Sequence, residues 1–445
     1  MSERRPLTAL EEYFLLEDRP AYPWSFFVRL VCTGRADRQA VETALRHSVV
    51  RHPLLSSVVQ QQGDGSWVWQ RVEQPQPAVV WSEGTGSETF APATRQDISA
   101  EIGVRLHAAA GSDGTQLVFQ FHHACCDARG AFTWIEDWLA EYARATGAGR
   151  ELGLPREYDP DLLDRRGRPE LKARHLRGAV AAHWAGLLRA YRFLRQSPVP
   201  LLDYEPGRDD EPAPAGFPAA KNFRFDAATT AQLRTAAKRR QATLNDLLCC
   251  DLLLVLRDFQ QGAPPPRPDG WLRLAVPVDL RTQAQENMSA ANQASMVFVT
   301  RRASVCTDAA GLLQSIHREL QQVKDLGLAH TFLRSLQIRQ RLPGGLARSV
   351  RKTKCGSTAA LTNVGETLEN CPLPRLEGKL VAGNLVLDAA DFLAPIRPLT
   401  CASVAACTCA GQLSVSLQYD PRALSGTAAD RLFEAFLGQL RNDLR

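Results

Sequence analysis

The chain has 445 residues, 44% of them hydrophobic and 23% charged, with a formal net charge of +5. This composition is typical of a soluble globular protein, long enough for roughly two to four domains and a sizeable core. The small net charge argues against a nucleic-acid-binding function, which needs basic residues clustered on one face.

In the first half, the capping box Thr8-Ala9-Leu10-Glu11 predicts a short helix. Residues 24–32 are strand-like, and residues 36–51 form a predicted helix that ends before Pro53. This helix places three apolar side chains on one face, those of Val41, Leu45 and Val49. Four strand-like segments and a helix follow, at 66–72, 77–83, 103–110, 114–123 and 129–147. The order indicates an α+β or mixed architecture.

Between the halves, residues 147–169 are loop-like and residues 170–196 form a predicted long basic helix. One side of this helix is apolar, formed by Leu171, Leu176, Val180, Trp184, Leu187 and Leu188. Its Lys and Arg residues fit a solvated face, and weak association with a membrane surface is the alternative. Residues 197–220 are rich in proline and charge, so we predict a linker there, after a first lobe of residues 1–196.

The second half, residues 221–445, repeats this order of elements. A strand at 221–226 precedes helices at 227–240 and 243–259, and residues 307–340 are mostly helical. The other predicted strands lie at 271–280, 292–302, 357–365, 378–389, 400–410 and 411–420. The chain ends in a helix whose inner face carries Leu432, Phe433, Phe436, Leu437 and Leu440. The sequence thus predicts two similar lobes, each a mostly antiparallel sheet with helices.

Eleven cysteines occur without a CxxC pair, which indicates reduced, mostly buried thiols and a cytoplasmic protein. The N-terminal sequence MSERRPLTALEEYF has no apolar signal region. The most apolar segment, residues 247–256, is interrupted by Asp251. It is also shorter than the about 20 residues that a membrane span needs, so we predict no membrane-spanning helix.

The stretch FHHACCDARGAF, residues 121–132, concentrates histidine, cysteine and aspartate. On a strand, His123 shares the apolar face of Phe119 and Phe121, whereas His122 lies on the opposite face. A metal site needs three or four converging ligands, but these neighbours diverge and no CxxC or HExxH spacing occurs. A nucleophilic cysteine needs a separate base, and the nearest cysteine is only two residues from His123. We therefore expect neither a metal site nor a reactive thiol.

Purely structural roles remain open for Asp127 and His123. Asp127 is suited to cap the helix that follows, and His123 is suited to be a hydrogen-bonded core histidine. A neutral imidazole on an apolar face at a strand end is also a suitable general base, because burial disfavours its charged form. One positioned base accelerates a reaction by about 10²–10⁴-fold. In that case Asp127 would fix the turn that presents the ring.

The segment HHACCDARG, residues 122–130, resembles the HHxxxDG motif of the condensation-domain and chloramphenicol-acetyltransferase-like acyltransferases. That superfamily includes peptide-synthetase condensation domains, alcohol acyltransferases and wax-ester synthases. Further segments that resemble the family follow in order along nearly the whole chain, namely RHPLL at 51–55, TLNDLL at 243–248, PVDLR at 277–281, LTNVGE at 361–366 and GQLSVSLQYDPRALS at 411–425.

The resemblance implies two chloramphenicol-acetyltransferase-like lobes with a tunnel between them and the second motif histidine, His123, in its middle. His123 would be the catalytic base, taking a proton from a hydroxyl or amine that attacks a thioester carbonyl. The acyl donor would be acyl-CoA or an acyl-carrier protein. The acceptor would be a small alcohol or amine, and no cofactor or metal would be bound.

The resemblance also assigns supporting residues. Asp127 would form a buried salt bridge with Arg281, His122 would support the site structurally, and Asn363 and Gly365 would line the tunnel. The motif glycine is replaced by Ala128, whose methyl group is expected to narrow the tunnel or strain the turn. This departure leaves a rival interpretation, a catalytically weak or inactive condensation-like module that binds a carrier or partner protein.

Overall fold

The computed structural model describes residues 4–84, 90, 93–112, 114–148, 152–167, 179–262, 269–351 and 354–444, except for the side chains of 179–183. The strands of the first half are β1 (Arg4–Pro6), β2 (Ser25–Thr33), β3 (Ser57–Gln61), β4 (Trp67–Arg71), β5 (Ala78–Glu83), β6 (Val104–Ala110) and β7 (Thr115–His122). The helices of this half are α1 (Ala9–Glu17), α2 (Arg38–Val49), α3 (Ala128–Ala145), α4 (Pro160–Asp164) and α5 (Ala179–Arg195).

The strands of the second half are β8 (Ala220–Phe225), β9 (Trp271–Asp279), β10 (Ala294–Arg302), β11 (Ala359–Glu366), β12 (Arg375–Leu376), β13 (Lys379–Ala382), β14 (Leu385–Leu393), β15 (Ala402–Cys409) and β16 (Gln412–Tyr419). Its α-helices are α6 (Ala227–Arg239), α7 (Leu244–Gln261), α8 (Ala309–Asp325), α9 (His330–Gln340), α10 (Gly345–Val350) and α11 (Gly426–Asn442). Three short strands, β1, β3 and β12, were not predicted, because two to five residues carry little periodicity.

Two mostly antiparallel sheets dominate the fold, and the predicted α+β class with two sheet-rich lobes is confirmed. One sheet has the order β12-β13-β14-β2-β7-β6-β5, and the other has the order β10-β9-β11-β15-β16-β8. Among the strands that the structure describes, parallel pairing is limited to β5 with β6 and to β11 with both of its neighbours. A small sheet, β1-β4-β3, completes the set among the described residues.

Strands β12 to β14 depart from the predicted division into lobes. The sequence assigns residues 378–389 to the second lobe, but β14 pairs antiparallel with β2 of the first sheet, with Ala390 opposite Leu30. The buried carboxylate of Asp391 accepts a hydrogen bond from Arg29 Nε on β2 (2.7 Å) and another from Arg224 Nε on β8 (2.7 Å). This segment therefore ties the two sheets together, and the alternation of its residues could not reveal which strand it would join. The remaining boundaries, 1–196 and 197–220, stay predictions.

The packing of most helices follows the predicted apolar faces. Thr8 and Glu11 form the predicted capping box of α1. Val41, Leu45 and Val49 of α2 are buried, as is the predicted inner face of α11. Helix α7 is buried along most of its length in the core of the second lobe. Residues that follow β7 and β9, Asp127 and Arg281, contact each other.

The apolar side predicted for residues 170–196 is not buried where the structure describes it. Trp184, Leu187 and Leu188 are 67%, 50% and 47% exposed. Leu171 and Leu176 lie outside the described residues, as does the side chain of Val180. Helix α5 instead contacts the second lobe through its opposite face, where Arg189 pairs with Glu319. Amphipathic spacing alone could not reveal which face would pack inward.

The cysteines and apolar helices match two expectations. All eleven cysteines lie in the described part of the chain and none forms a disulfide. Ten of them are buried, and Cys355 is half-buried. Among the described residues, no helix combines the length and the hydropathy needed to cross a bilayer.

Candidate active site

The motif lies at the turn between β7 and α3. The backbone N–H of His123 donates to the carbonyl of Trp24 (2.9 Å), so pairing with the segment before β2 extends one residue past β7. Asp127 then caps α3 by accepting a hydrogen bond from the N–H of Gly130 (2.9 Å). The cap function weighed from the sequence is therefore real, and it coexists with the ion pair described below.

His123 is half-buried among aromatic rings. Its ring centroid lies 4.3 Å from that of Phe14, 5.1 Å from that of Phe26 and 6.1 Å from that of Trp24. This burial lowers the pKa of His123 to about 4, although the nearby carboxylate of Asp127 acts in the opposite direction. The imidazole is therefore neutral at physiological pH and retains a nitrogen lone pair able to accept a proton.

The two ring nitrogens of His123 differ. Nδ1 is buried and has no hydrogen bond of good geometry within the described structure. The backbone of His123 and Cys126 nevertheless lies close enough to favour a proton on the ring. A proton on Nδ1 leaves the lone pair on Nε2. Because Nδ1 is buried, we expect Nε2 to be the nitrogen that acts as a base.

His122 lies on the face of the strand opposite to His123, as the alternation predicted, but it is fully buried, whereas the sequence predicted this face to be the more polar one. Its Nδ1 accepts a hydrogen bond from the N–H of Ala124 (3.2 Å), and its Nε2 lies 3.5 Å from Oδ2 of Asp18. Arg95 donates to the same carboxylate oxygen at 2.6 Å. These contacts hold the turn to the segment after α1, and the structural role of His122 stays a prediction.

Asp127 and Arg281 form a bidentate ion pair across the two lobes. Nη1 of Arg281 is 2.9 Å from Oδ2 of Asp127, and Nη2 is 2.8 Å from Oδ1. The N–H of Gln293 donates to Oδ2 at 2.7 Å. Burial alone would raise the pKa of the Asp127 carboxyl, but Arg281 outweighs it and holds that pKa below its usual range. Burial would lower the pKa of Arg281, and the Asp127 and Asp279 carboxylates reverse this effect and raise it.

Residues 288–293, which we call the bridging segment, lead from the second lobe into β10 and bind the first lobe. The N–H of Ala290 donates to Nδ1 of His52 (2.9 Å). The side-chain amide of Asn292 donates to the carbonyls of His123 (3.0 Å) and Ala124 (2.8 Å). The side chain of Asn292 in the second lobe thus fixes the backbone that carries the candidate base.

Two residues that this contact requires were not among the predicted site residues. A Cβ atom at Gly130 would lie 2.9 Å from both N and O of Ala291, so a larger residue would displace the bridging segment. For Asn292, the sequence indicates only that it is the first residue of a predicted strand. The sequence carries no periodic signal for either role, because both arise from contact between residues more than 160 positions apart.

Ala128, in place of the motif glycine, is the first residue of α3 and is half-buried. It is not among the residues with positive φ, so the turn does not require glycine and the expected backbone strain is absent. Whether its methyl group narrows a tunnel stays a prediction.

Asn363 and Gly365 lie in β11, beside the start of α3. Oδ1 of Asn363 accepts a hydrogen bond from the N–H of Gly365 (3.1 Å), which fixes a local turn. Gly365 has φ +78°, and a Cβ atom there would lie 3.5 Å from Nη2 of Arg129. Nε of Arg129 is in turn 3.8 Å from Oδ2 of Asp279. The structure therefore brings these second-lobe residues next to the motif helix.

The two cysteines of the motif and the metal-binding side chains of the described residues do not favour a reactive thiol or a metal site. Cys125 and Cys126 are buried, and burial raises the pKa of both thiols well above the usual value. The described residues contain no group of three or more His, Cys, Asp or Glu side chains placed to hold a metal ion. A cleft of about 770 Å³ lies elsewhere, beside the start of α2 and the end of α3, and none of its lining residues is a predicted site residue.

Part of the chain is similar to a known protein family. Residues 214–418 match the family described as phthiocerol/phthiodiolone dimycocerosyl transferase C-terminus. No curated protein matches the sequence significantly.

Solved structures show the fold over the full length. The first condensation domain of the CDA synthetase has 17% identity and a TM-score of 0.70, covering 99% of this chain and 96% of that one. Polyketide synthase associated protein 5 from Mycobacterium tuberculosis has 18% identity and a TM-score of 0.64, covering 99% and 98%. Trichothecene 15-O-acetyltransferase from Fusarium sporotrichioides has 11% identity and a TM-score of 0.65, covering 100% and 96%.

The two sheet-rich lobes have the fold of this condensation domain and this acetyltransferase. Residues 214–418, slightly less than half of the chain, match a transferase family, which agrees with the resemblance drawn from the motifs.

Proposed function

We propose that this protein transfers an acyl group from a CoA or carrier-protein thioester to a hydroxyl or amine, with His123 as general base. One observation carries the proposal: a half-buried imidazole, kept neutral by its aromatic surroundings, lies where the two lobes meet. A passage between the lobes that leads donor and acceptor to this ring is part of the proposal, as is the absence of a bound cofactor.

The step balances without a metal or a redox partner. Nε2 of His123 accepts the proton of the acceptor O–H or N–H while the acceptor atom bonds to the thioester carbonyl carbon. The carbon–sulfur bond then breaks, and the thiolate leaves with its electron pair. The imidazolium returns its proton to the leaving thiolate or to solvent, which regenerates the neutral base. Burial of the ring favours this return, because the charged form is poorly solvated.

Names among the similar proteins agree with acyl transfer. The matched family is described as a transferase, and one structural neighbour is an O-acetyltransferase, which supports a hydroxyl acceptor. The choice between a CoA donor and a carrier-bound donor comes from the motif resemblance alone. Acyl length and acceptor are therefore questions for a substrate panel. The alternative, a non-catalytic module, was based on the replacement of the motif glycine by Ala128. The backbone of Ala128 has ordinary helical geometry, so backbone strain gives no reason to prefer this alternative.

The test is a panel of acyl-CoA thioesters and pantetheine-loaded carrier protein, each with simple alcohols or amines, with release of free thiol as the readout. Acceptor-dependent thiol release is expected from the wild type. His123→Ala should fold normally and lose at least about 10²-fold in rate. His47→Ala is the matched control, because His47 is an exposed histidine on α2. A His123→Ala variant that transfers acyl groups as fast as the wild type would refute the base assignment.

A further inference from the structure

Where the structure describes its side chains, helix α5 contacts the second lobe through the face that carries Arg189 and Phe193. Nη1 of Arg189 pairs with Glu319 at 2.9 Å, and Nη2 donates to the carbonyl of Phe298 at 3.2 Å. One turn later, the ring of Phe193 contacts the ring of Phe298 with centroids 4.8 Å apart. Positions four apart share a helix face, so these contacts define the inner side of α5.

The opposite side of α5 is apolar and exposed to solvent. Its large side chains are Trp184, Leu187, Leu188, Tyr191 and Leu194, which are 67%, 50%, 47%, 59% and 76% exposed. At about 100° per residue they fall within an arc of about 120°. Monomeric proteins rarely expose apolar side chains in so continuous a stripe, and such stripes mark interaction surfaces.

Positive charge accompanies this stripe. Arg192 is exposed and adjoins one edge of the stripe, and the exposed Arg195 lies at its C-terminal end. Residues 179–195 contain no aspartate or glutamate. A stripe of Leu, Trp and Tyr with arginine beside it has the chemistry of a helix that lies in a membrane interface.

We propose that the outer face of α5 binds an anionic phospholipid surface, with the helix parallel to the membrane plane. The apolar side chains would enter the boundary between headgroups and acyl chains, and Arg192 and Arg195 would contact lipid phosphates. A second copy of the chain fits less well, because a symmetric contact would bring the arginines of the two copies together. This inference is independent of the acyl-transfer chemistry.

The experiment is flotation of the purified full-length chain with vesicles of phosphatidylcholine alone or mixed with phosphatidylglycerol. The wild type should float with the mixed vesicles and release at high salt. The double variant L187Q/L188Q should lose binding by more than about tenfold. The double variant R192Q/R195Q should lose about fivefold per arginine on anionic vesicles and become insensitive to salt.

The variant Ile338→Gln is the matched control, because Ile338 on α9 is 60% exposed and lies outside the stripe. It should bind vesicles like the wild type, and all variants should keep the wild-type melting temperature. Wild-type protein that stays unbound with both vesicle types would overturn the proposal. So would equal binding by L187Q/L188Q, or a dimer in solution that this variant abolishes while vesicles bind nothing.

Discussion

Replacing Asp127 with asparagine removes one charge with little change in side-chain shape. The carboxylate accepts four hydrogen bonds, two from Arg281 (2.9 and 2.8 Å), one from the N–H of Gly130 (2.9 Å) and one from the N–H of Gln293 (2.7 Å). An asparagine side chain has a single acceptor oxygen. If that oxygen takes the Oδ1 position, two of the four bonds survive. The new NH₂ group then faces the N–H of Gln293 and Nη1 of Arg281, both of which are donors.

The magnitude follows from the orphaned guanidinium. Removing one partner of a buried ion pair costs about 3–5 kcal/mol. Arg281 retains a contact to Asp279, 3.1 Å from Nη1, so we expect a loss near the lower limit, about 3 kcal/mol. An unfolding entropy of about 2.1 cal/mol/K per residue makes this roughly 1 °C per kcal/mol for the whole chain and about 2 °C for one lobe. The Tm should therefore fall by about 3–6 °C.

Differential scanning calorimetry at neutral pH measures this change. Asp279→Asn is the control, because the Asp279 side chain is 38% exposed and its loss should cost below about 1 kcal/mol. In the double variant D127N/R281Q no charge is left alone, so its loss should be smaller than the sum of the two single losses. A D127N melting curve that coincides with the wild type, or strictly additive losses, would refute the reasoning.

Three further predictions concern the site. Burial lowers the pKa of His123 to about 4. The acid limb of the kcat/KM profile should therefore lie below the ordinary histidine pKa, and activity should rise as the pH increases through that limb. An acid limb at or above about pH 6.5 would contradict this prediction. Asn292→Ala removes both hydrogen bonds from Asn292 to the turn. In the thiol-release assay, kcat should therefore fall by about tenfold or more, while KM changes little. An unchanged kcat would show that the His123 ring does not need these hydrogen bonds. Ala128→Gly should lower stability in thermal melts by up to about 1 kcal/mol, whereas a stabilised variant would reveal strain at Ala128.

Local structure could be predicted from local sequence. The capping box at Thr8 and Glu11 and the 3.6-residue spacing of α2 and α11 each concern groups within a few turns of one another. The same holds for the β7 alternation, which placed His122 and His123 on opposite faces, although His122 on the face predicted to be more polar is the more buried of the two. The pairing of Asp127 with Arg281 came from the family resemblance, since no local signal links residues 154 positions apart.

The sequence by itself determined the class of fold, the type of most elements and the residue on which the proposed chemistry rests. Only the tertiary structure decided that β14 joins β2, that Asn292 holds the backbone of His123, and that α5 turns its apolar stripe outward. The physical reason is the distance along the chain over which each kind of interaction acts. Periodicity and capping report which side chains of one segment share a face, whereas the choice of partner for that face depends on hydrogen bonds and packing with segments far along the chain.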